Sequence, residues 1–379
     1  METALQALVV CSDERAVRVL RRVLSEMDID IHHCADVDDA IQKLTRRRFQ
    51  AIVVDCTTPS VAKQILRGTQ SALGNKRAVT VAVLEAEAAR GQANLKDAFE
   101  HGAHFVLFKP ISLERARANF HAVRALMNRE RRRYARIPME LEANLQLDGD
   151  LGNQTVLTAD LGENGMAVKL PGQKLPPSFR VRLTLPETRG EVECSGEVAW
   201  EGSSLVGIRF RDVARDAGDQ LRRWVSYQLT GEEEEPSLDA KLTDLSICAC
   251  YLETESPFPL RARLALTLRA GEVALQLEGI VRVLHPEAGM GIEFTDDTPA
   301  QRAKIEEFIQ TLVNTAGATP NVEVKPEAID NATPSPLGEA SGEHPDPLLA
   351  LFLTKWDLPP ELFRAELRTQ RRAPVEVEA

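Results

Sequence analysis

The 379-residue chain is predicted to be multidomain. An α/β doubly wound domain comes first, then two small antiparallel β-barrels that each end in a helix, then a largely disordered tail with a short amphipathic helix. Three observations predict this. Short apolar runs alternate with helical patterns up to about residue 128, apolar residues recur at every second position after Pro138, and from there one order of strands, turn and helix occurs twice. Length alone exceeds what one core usually supports.

In the first segment, apolar runs at 5–10, 29–32, 51–54, 79–84 and 105–108 alternate with helical patterns such as 14–27, 37–44 and 113–127. Strands alternating with helices make a parallel sheet covered on both faces. Asp13 follows the first strand, Asp55 the third, with Pro59 four residues on, and Lys109-Pro110 the fifth. Carboxylates and a lysine at the carboxyl ends of parallel strands stand where such folds bind ligands. Over residues 1–128 this resembles the receiver domain of two-component response regulators. The resemblance implies that Asp55 matches a phosphoryl acceptor, that an acid pair holds magnesium, and that Lys109 contacts phosphate. Here the acid pair falls on Ser12 and Asp13, and the hydroxyl residue expected after the fourth strand is Glu85. One hard oxygen ligand is missing, and a carboxylate repels phosphate and can pair with Lys109 instead. A pseudo-site of Asp13, Asp55 and Lys109, without magnesium, is expected. His32, His33 and Cys34 alternate faces on one strand and are read as ordinary strand residues.

The second half shows period-two alternation at 139–147 and 179–185, the mark of antiparallel strands with one wet face. Gly196-Glu197-Val198-Ala199-Trp200 with Val206-Gly207-Ile208-Arg209-Phe210 is echoed by Gly279-Ile280-Val281-Arg282-Val283 with Met290-Gly291-Ile292-Glu293-Phe294. Gly196 lies 36 residues after Asp160 and Gly279 lies 35 after Asp244. Each copy closes with an amphipathic helix, at 217–229 and 299–313, that places Trp224 14 residues after Phe210 and Phe308 14 residues after Phe294.

Ahead of the first copy stands Arg131-Arg132-Arg133-Tyr134-Ala135-Arg136-Ile137-Pro138, and then the turn Asp160-Leu161-Gly162-Glu163-Asn164-Gly165. Arginines spaced RRxxR before an Asp-x-small-x-x-Gly turn resemble the ligand signature of PilZ domains, the bacterial receptors for cyclic di-GMP. The resemblance implies a six-stranded barrel for each copy and assigns the ligand to Arg132, Arg133, Arg136, Asp160, Gly162 and Gly165, with Gly162 at the family's serine position. An arginine fork makes two charge-assisted bonds to a phosphate or a guanine edge and stacks on a base. The turn adds a carboxylate acceptor and a backbone that a ligand can approach. A missing hydroxyl costs about 0.5–1.5 kcal/mol, so roughly tenfold in affinity. In the second copy, Asp244-Leu245-Ser246-Ile247-Cys248-Ala249 follows the family pattern with Ala249 for the last glycine, but the arginines are absent and an acidic run at 231–236 precedes it. It is expected to be structural or partner-binding, with its first strand shortened.

Residues 315–347 have the composition of a disordered linker, and Leu348-Leu349-Ala350-Leu351-Phe352-Leu353 and Trp356 then place, in a largely disordered tail at 317–379, a short amphipathic helix near 346–370 that docks on its own protein or on a partner. The expected domains are therefore 1–128, 129–230, 231–316 and the tail from 317. A net charge of -11 excludes a broad nucleic-acid or anionic-membrane surface, and no run reaches the roughly 18 apolar residues of a membrane span. With no leader segment, the chain is expected in the cytoplasm. The six cysteines form no CxxC pair, and no nucleophile motif, zinc spacing or phosphate loop occurs.

The expected function is that of a non-enzymatic cyclic di-GMP effector without cofactor, contacting an unidentified protein partner in motility, adhesion or exopolysaccharide control, with a homodimer possible. Alternatives are an interaction scaffold that binds no nucleotide and a response regulator phosphorylated on Asp55.

Overall fold

A computed structural model describes residues 5–72, 74–86, 92–147, 152–172, 174–186, 190–230, 237–271, 273–296, 298–314, 320–329 and 346–370. The chain divides into two compact units, one spanning Asn128–Glu235 and the other joining Thr3–Met127 to Pro236–Ala379.

Five parallel strands open the larger unit: β1 (Leu5–Val10), β2 (Ile29–Cys34), β3 (Ala51–Asp55), β4 (Val79–Glu85) and β5 (Phe105–Lys109), in the order β2-β1-β3-β4-β5. This is the doubly wound order of flavodoxin-like and receiver folds, whose ligand sites lie at the carboxyl ends of the strands. Strand alternation divides the core in two. Ala7, Val9, Ala51 and Val53 face the helices Glu14–Glu26 and Leu113–Arg133, while Leu8, Val10, Ile52 and Val54 face the helices Val37–Arg46 and Pro59–Ser71. The helices start where the caps dictate. Asp13 accepts from the backbone N–H groups of Arg15 and Ala16, and Asp36 from that of Asp38.

The smaller unit is a barrel. Its strands are β6 (Ile137–Pro138), β7 (Glu142–Gln146), β8 (Asn153–Gly162), β9 (Gly165–Lys169), β10 (Ser178–Thr184), β11 (Glu191–Glu201) and β12 (Leu205–Arg211). The order is β6-β8-β7-β10-β11-β12-β9, and pairing of β8 with β9 closes it. β6 and β7 lie along the same edge of β8, so they act as one interrupted strand. The helix Arg215–Thr230 packs Trp224, 2% exposed, into the barrel core beside Phe210 and Leu221.

The second barrel consists of β13 (Leu238–Leu245), β14 (Ala249–Glu253), β15 (Ala262–Ala270), β16 (Val273–His285), β17 (Gly289–Phe294) and β18 (Asn321–Ile329), in the closed order β13-β14-β17-β16-β15-β18. The first five repeat β8 to β12, including the ladder shifts at Thr158/Asp160 and Leu242/Asp244 and at Val198/Trp200 and Val281/Val283. Phe308, on the helix Pro299–Asn314, fills the core as Trp224 does in the first barrel.

β18 corrects the sequence reading. The tail from 317 was expected to be largely disordered, yet Asn321–Ile329 is a strand between β13 and β15, where the first barrel places β7 between β8 and β10. The strand that seemed shortened is instead supplied from behind the closing helix. Val322, Val324 and Ile329 point inward and shut a barrel whose core would otherwise meet water at two unpaired edges. The expected tail helix is two helices, Pro347–Thr354 and Pro360–Gln370, separated by residues 355–359, with Pro360 at the first position of the second. The remaining expected disorder, at 317–319, 330–345 and 371–379, and the acidic run at 231–236 lie outside the described residues.

Within the larger unit, the apolar cluster on one face of the parallel sheet continues into the core of the second barrel. Ser256 donates to the carbonyl of Ala118, and Arg115 pairs with Glu287 at 3.5 Å. No described helix is long and apolar enough to cross a membrane.

Candidate functional site

The helix Leu113–Arg133 ends in Arg131, Arg132 and Arg133, where cations complement the carboxyl end of a helix. The chain then turns, with the Ala135 N–H donating to the Arg132 carbonyl, and enters β6, which pairs Ile137 with Leu161 and Pro138 with Asp160. That pairing lays the arginine segment along the Asp160–Gly165 turn, within one unit.

Contacts fasten the two. Arg136 Nη1 donates to the Gly165 carbonyl and stands 3.7 Å from Asp160 Oδ1, which also accepts from the Ala167 N–H at 3.2 Å. Asn164 Nδ2 donates to the Arg133 carbonyl at 2.8 Å. Arg129 Nη1 reaches both oxygens of Glu163, at 2.8 and 2.7 Å, with the two side chains only 5% and 7% exposed. Both glycines are set by close approach. A Cβ on Gly165 would overlap the Ile208 carbonyl, and one on Gly162 would overlap the carbonyl oxygen of Ala135.

The predicted ligand residues are therefore brought together unevenly. Arg136, Asp160, Gly162 and Gly165 share one surface. Arg133 is near it, partly exposed, 3.6 Å from Glu130, with its guanidinium over the Tyr134 ring. Arg132 is buried, at 4% exposure. Sequence reasoning missed the Arg129–Glu163 pair, since Arg129 reads as one more cation at a helix end. The available signal was an acid inside the turn.

At the parallel sheet, Lys109 Nζ donates to Asp55 Oδ2 at 2.8 Å and lies 3.4 Å from Glu85 and 3.9 Å from Asp13. Burial tends to raise the Asp55 pKa, but bonds from Lys109 and Thr57 outweigh it, so the carboxyl is held below its ordinary value. Burial likewise tends to lower that of Lys109, and Asp55 overcomes it. Cys11 donates to Asp55 at 3.3 Å, and its thiol is pushed up to about 12, chiefly by burial. Asp13 also caps its helix. The lysine ammonium thus already compensates the carboxylates that a divalent cation would need, and the donor set does not favour one.

In the second barrel, Asp244, Ser246 and Ala249 occupy the matching turn. Ser246 Oγ accepts from the Ala249 N–H at 3.1 Å, and the Cys248 N–H donates to Asp346 at 3.2 Å.

The family model for the PilZ domain matches residues 130–227 and again 224–311. Solved structures similar to the chain include a receiver domain of a sensor histidine kinase from Pseudomonas aeruginosa with a magnesium ion in its active-site cleft (20% identity, 33% of this chain and 98% of that one, TM-score 0.29). Others are a chemotaxis response regulator of Vibrio cholerae (17%, 32% and 99%, 0.29) and a response regulator from Thermotoga maritima (14%, 33% and 98%, 0.28). A search of curated proteins finds no match.

Proposed function

We propose, for a chain that carries two PilZ domains behind a receiver-like domain, that it is a non-enzymatic cytoplasmic effector. Its first barrel binds cyclic di-GMP and passes the event to a protein partner. The observation that carries this is the meeting of Arg136 with the Asp160–Gly165 turn.

Arg136, 47% exposed, can leave the Gly165 carbonyl for a phosphate or guanine edge, either of which offers its fork two acceptors in place of one, and charged ones in the case of phosphate. The Asp160 carboxylate then faces guanine N–H donors, and the released Gly165 backbone faces ligand. Arg133 adds a second fork, or a plane for stacking. Because these arginines continue directly from the helix Leu113–Arg133, a ligand that reorganises them acts on the junction between domains, and it shifts the equilibrium by its differential affinity for the two arrangements.

Calorimetry with cyclic di-GMP on the intact chain tests the proposal. Saturable heat is expected from the wild type and at least a tenfold loss from Arg136→Ala. Silence from the wild type refutes the nucleotide and leaves a scaffold. The second reading is a receiver phosphorylated on Asp55; acetyl-phosphate labelling lost in Asp55→Asn would establish it.

A further inference from the structure

The second barrel carries its turn at the same place as the first, and the chain's own tail sits on it. Asp346 Oδ2 accepts from the Cys248 N–H, at the position matching Asn164, while Oδ1 accepts from the N–H groups of Leu348 and Leu349 at 3.0 and 3.1 Å. One carboxylate therefore joins the turn to the start of the helix Pro347–Thr354. Leu349, Phe352 and Phe363 pack onto Ala249, Tyr251 and Val283, whose side chains point away from the barrel core. Phe352 lies over Gly291, where a Cβ would come within 2.8 Å of its ring. The matching glycine of the first barrel, Gly207, is covered by Trp200 of the neighbouring strand β11, a residue that is 50% exposed.

Two polar contacts fix the far end. His285 Nε2 bonds the Leu358 carbonyl at 3.0 Å, and Arg364 pairs with Glu253 at 3.4 Å. Ala249 fits the same picture. Its methyl stands where the first barrel has Gly165, and it is fully buried against the tail.

We propose that this face of the second barrel is a receptor for an amphipathic helix, that residues 346–370 are its resident occupant, and that the Asp346 carboxylate takes on the turn the place of an anionic ligand. The duplicated fold then uses one face in two ways, open in the first barrel and helix-filled in the second. The comparison of faces rests on the reading of the first turn as a ligand turn. The helix receptor does not, and its test contains no nucleotide.

A chain ending at Pro345 and a fluorescein-labelled peptide of residues 346–370 are titrated and followed by anisotropy. Saturable one-to-one binding is expected with the shortened chain and none with the intact chain. The Asp346→Ala peptide is expected to bind about tenfold more weakly, the loss of a charge-assisted bond, and the Phe352→Ala peptide more weakly still. A shortened chain that retains its circular dichroism and ignores the peptide overturns the proposal, as does equal binding to the intact chain. If the shortened chain precipitates, hydrogen exchange of intact Phe352→Asp decides. Faster exchange confined to 347–370 and the outer face of β14 supports the receptor, and an unchanged pattern refutes it.

Discussion

Gly162→Ser sets stability and binding against each other. The serine restores the hydroxyl of the PilZ turn, but its Cβ would fall on the carbonyl oxygen of Ala135, well inside the 3.0 Å that real Cβ contacts keep, with Arg136 Cδ at 3.2 Å. The obstacle is backbone, held by β6 pairing and by Arg129–Glu163, so it cannot swing away as a side chain would. Forcing extra volume into such a contact costs about 1–3 kcal/mol. For a barrel of this size that is roughly 5–15 °C in the unfolding midpoint. The same shift lifts Arg136 from the Gly165 carbonyl, and the returned hydroxyl offers the nucleotide a bond of about 0.5–1.5 kcal/mol. Scanning calorimetry is expected to show the first barrel melting earlier, and titration calorimetry up to about tenfold tighter cyclic di-GMP binding. A variant as stable as the wild type would show that Ala135 is not held against the turn. A less stable variant that binds more weakly would refute the competition between self-contact and ligand.

Glu163→Ala leaves the Arg129 guanidinium buried without its carboxylate, which should cost about 3 kcal/mol or more; urea unfolding reads this as a lower midpoint, and Arg129→Met/Glu163→Leu should recover much of it. Ending the chain at 316, the domain limit that composition suggests, removes β18 and should expose β13 and β15 to aggregation, visible by light scattering. Ending at Pro345 should leave both barrels folded. Low pH should loosen the second barrel and its tail. Burial against Tyr251 and Phe363, with the Arg364 charge nearby and only partly opposed by the bond to the Leu358 carbonyl, lowers the His285 pKa from 6.5 to about 4. An unfolded imidazole protonates first, so stability is full above about pH 6.5 and declines as pH falls toward 4, by roughly 3 kcal/mol at most. Urea midpoints between pH 7 and 4 check this, and a flat profile would refute it.

The parallel sheet was legible because all of its strands but β2 are dense apolar runs, and the barrels because Gly196 and Gly279 head matching segments. The Asp160–Gly165 turn was legible through its spacing. β18 was not, although Val322 and Val324 alternate correctly, because Pro320, Pro326 and their small polar neighbours average to the composition of a linker. Strand membership there is decided by an open slot between β13 and β15 that no local window reveals. Gly162 was legible only as a missing hydroxyl. Its packing against Ala135 depends on a pairing across 24 residues (161 − 137), between Ile137 and Leu161. The burial of Arg132 likewise follows from tertiary packing.

The position of β18 also sets an order of events during synthesis. All strands of the first barrel have left the ribosome once Arg211 is clear of it, and the barrel can close on neighbours in sequence. The second barrel has to hold Leu264, Leu266 and Leu268 exposed at a gap until Ile329 arrives, after an entire helix has been made. Partly closed sheets with bare edges aggregate. The parallel-sheet domain, completed first, presents the apolar face against which that unfinished core finally rests, so the earliest part of the chain serves as a nursery for the latest.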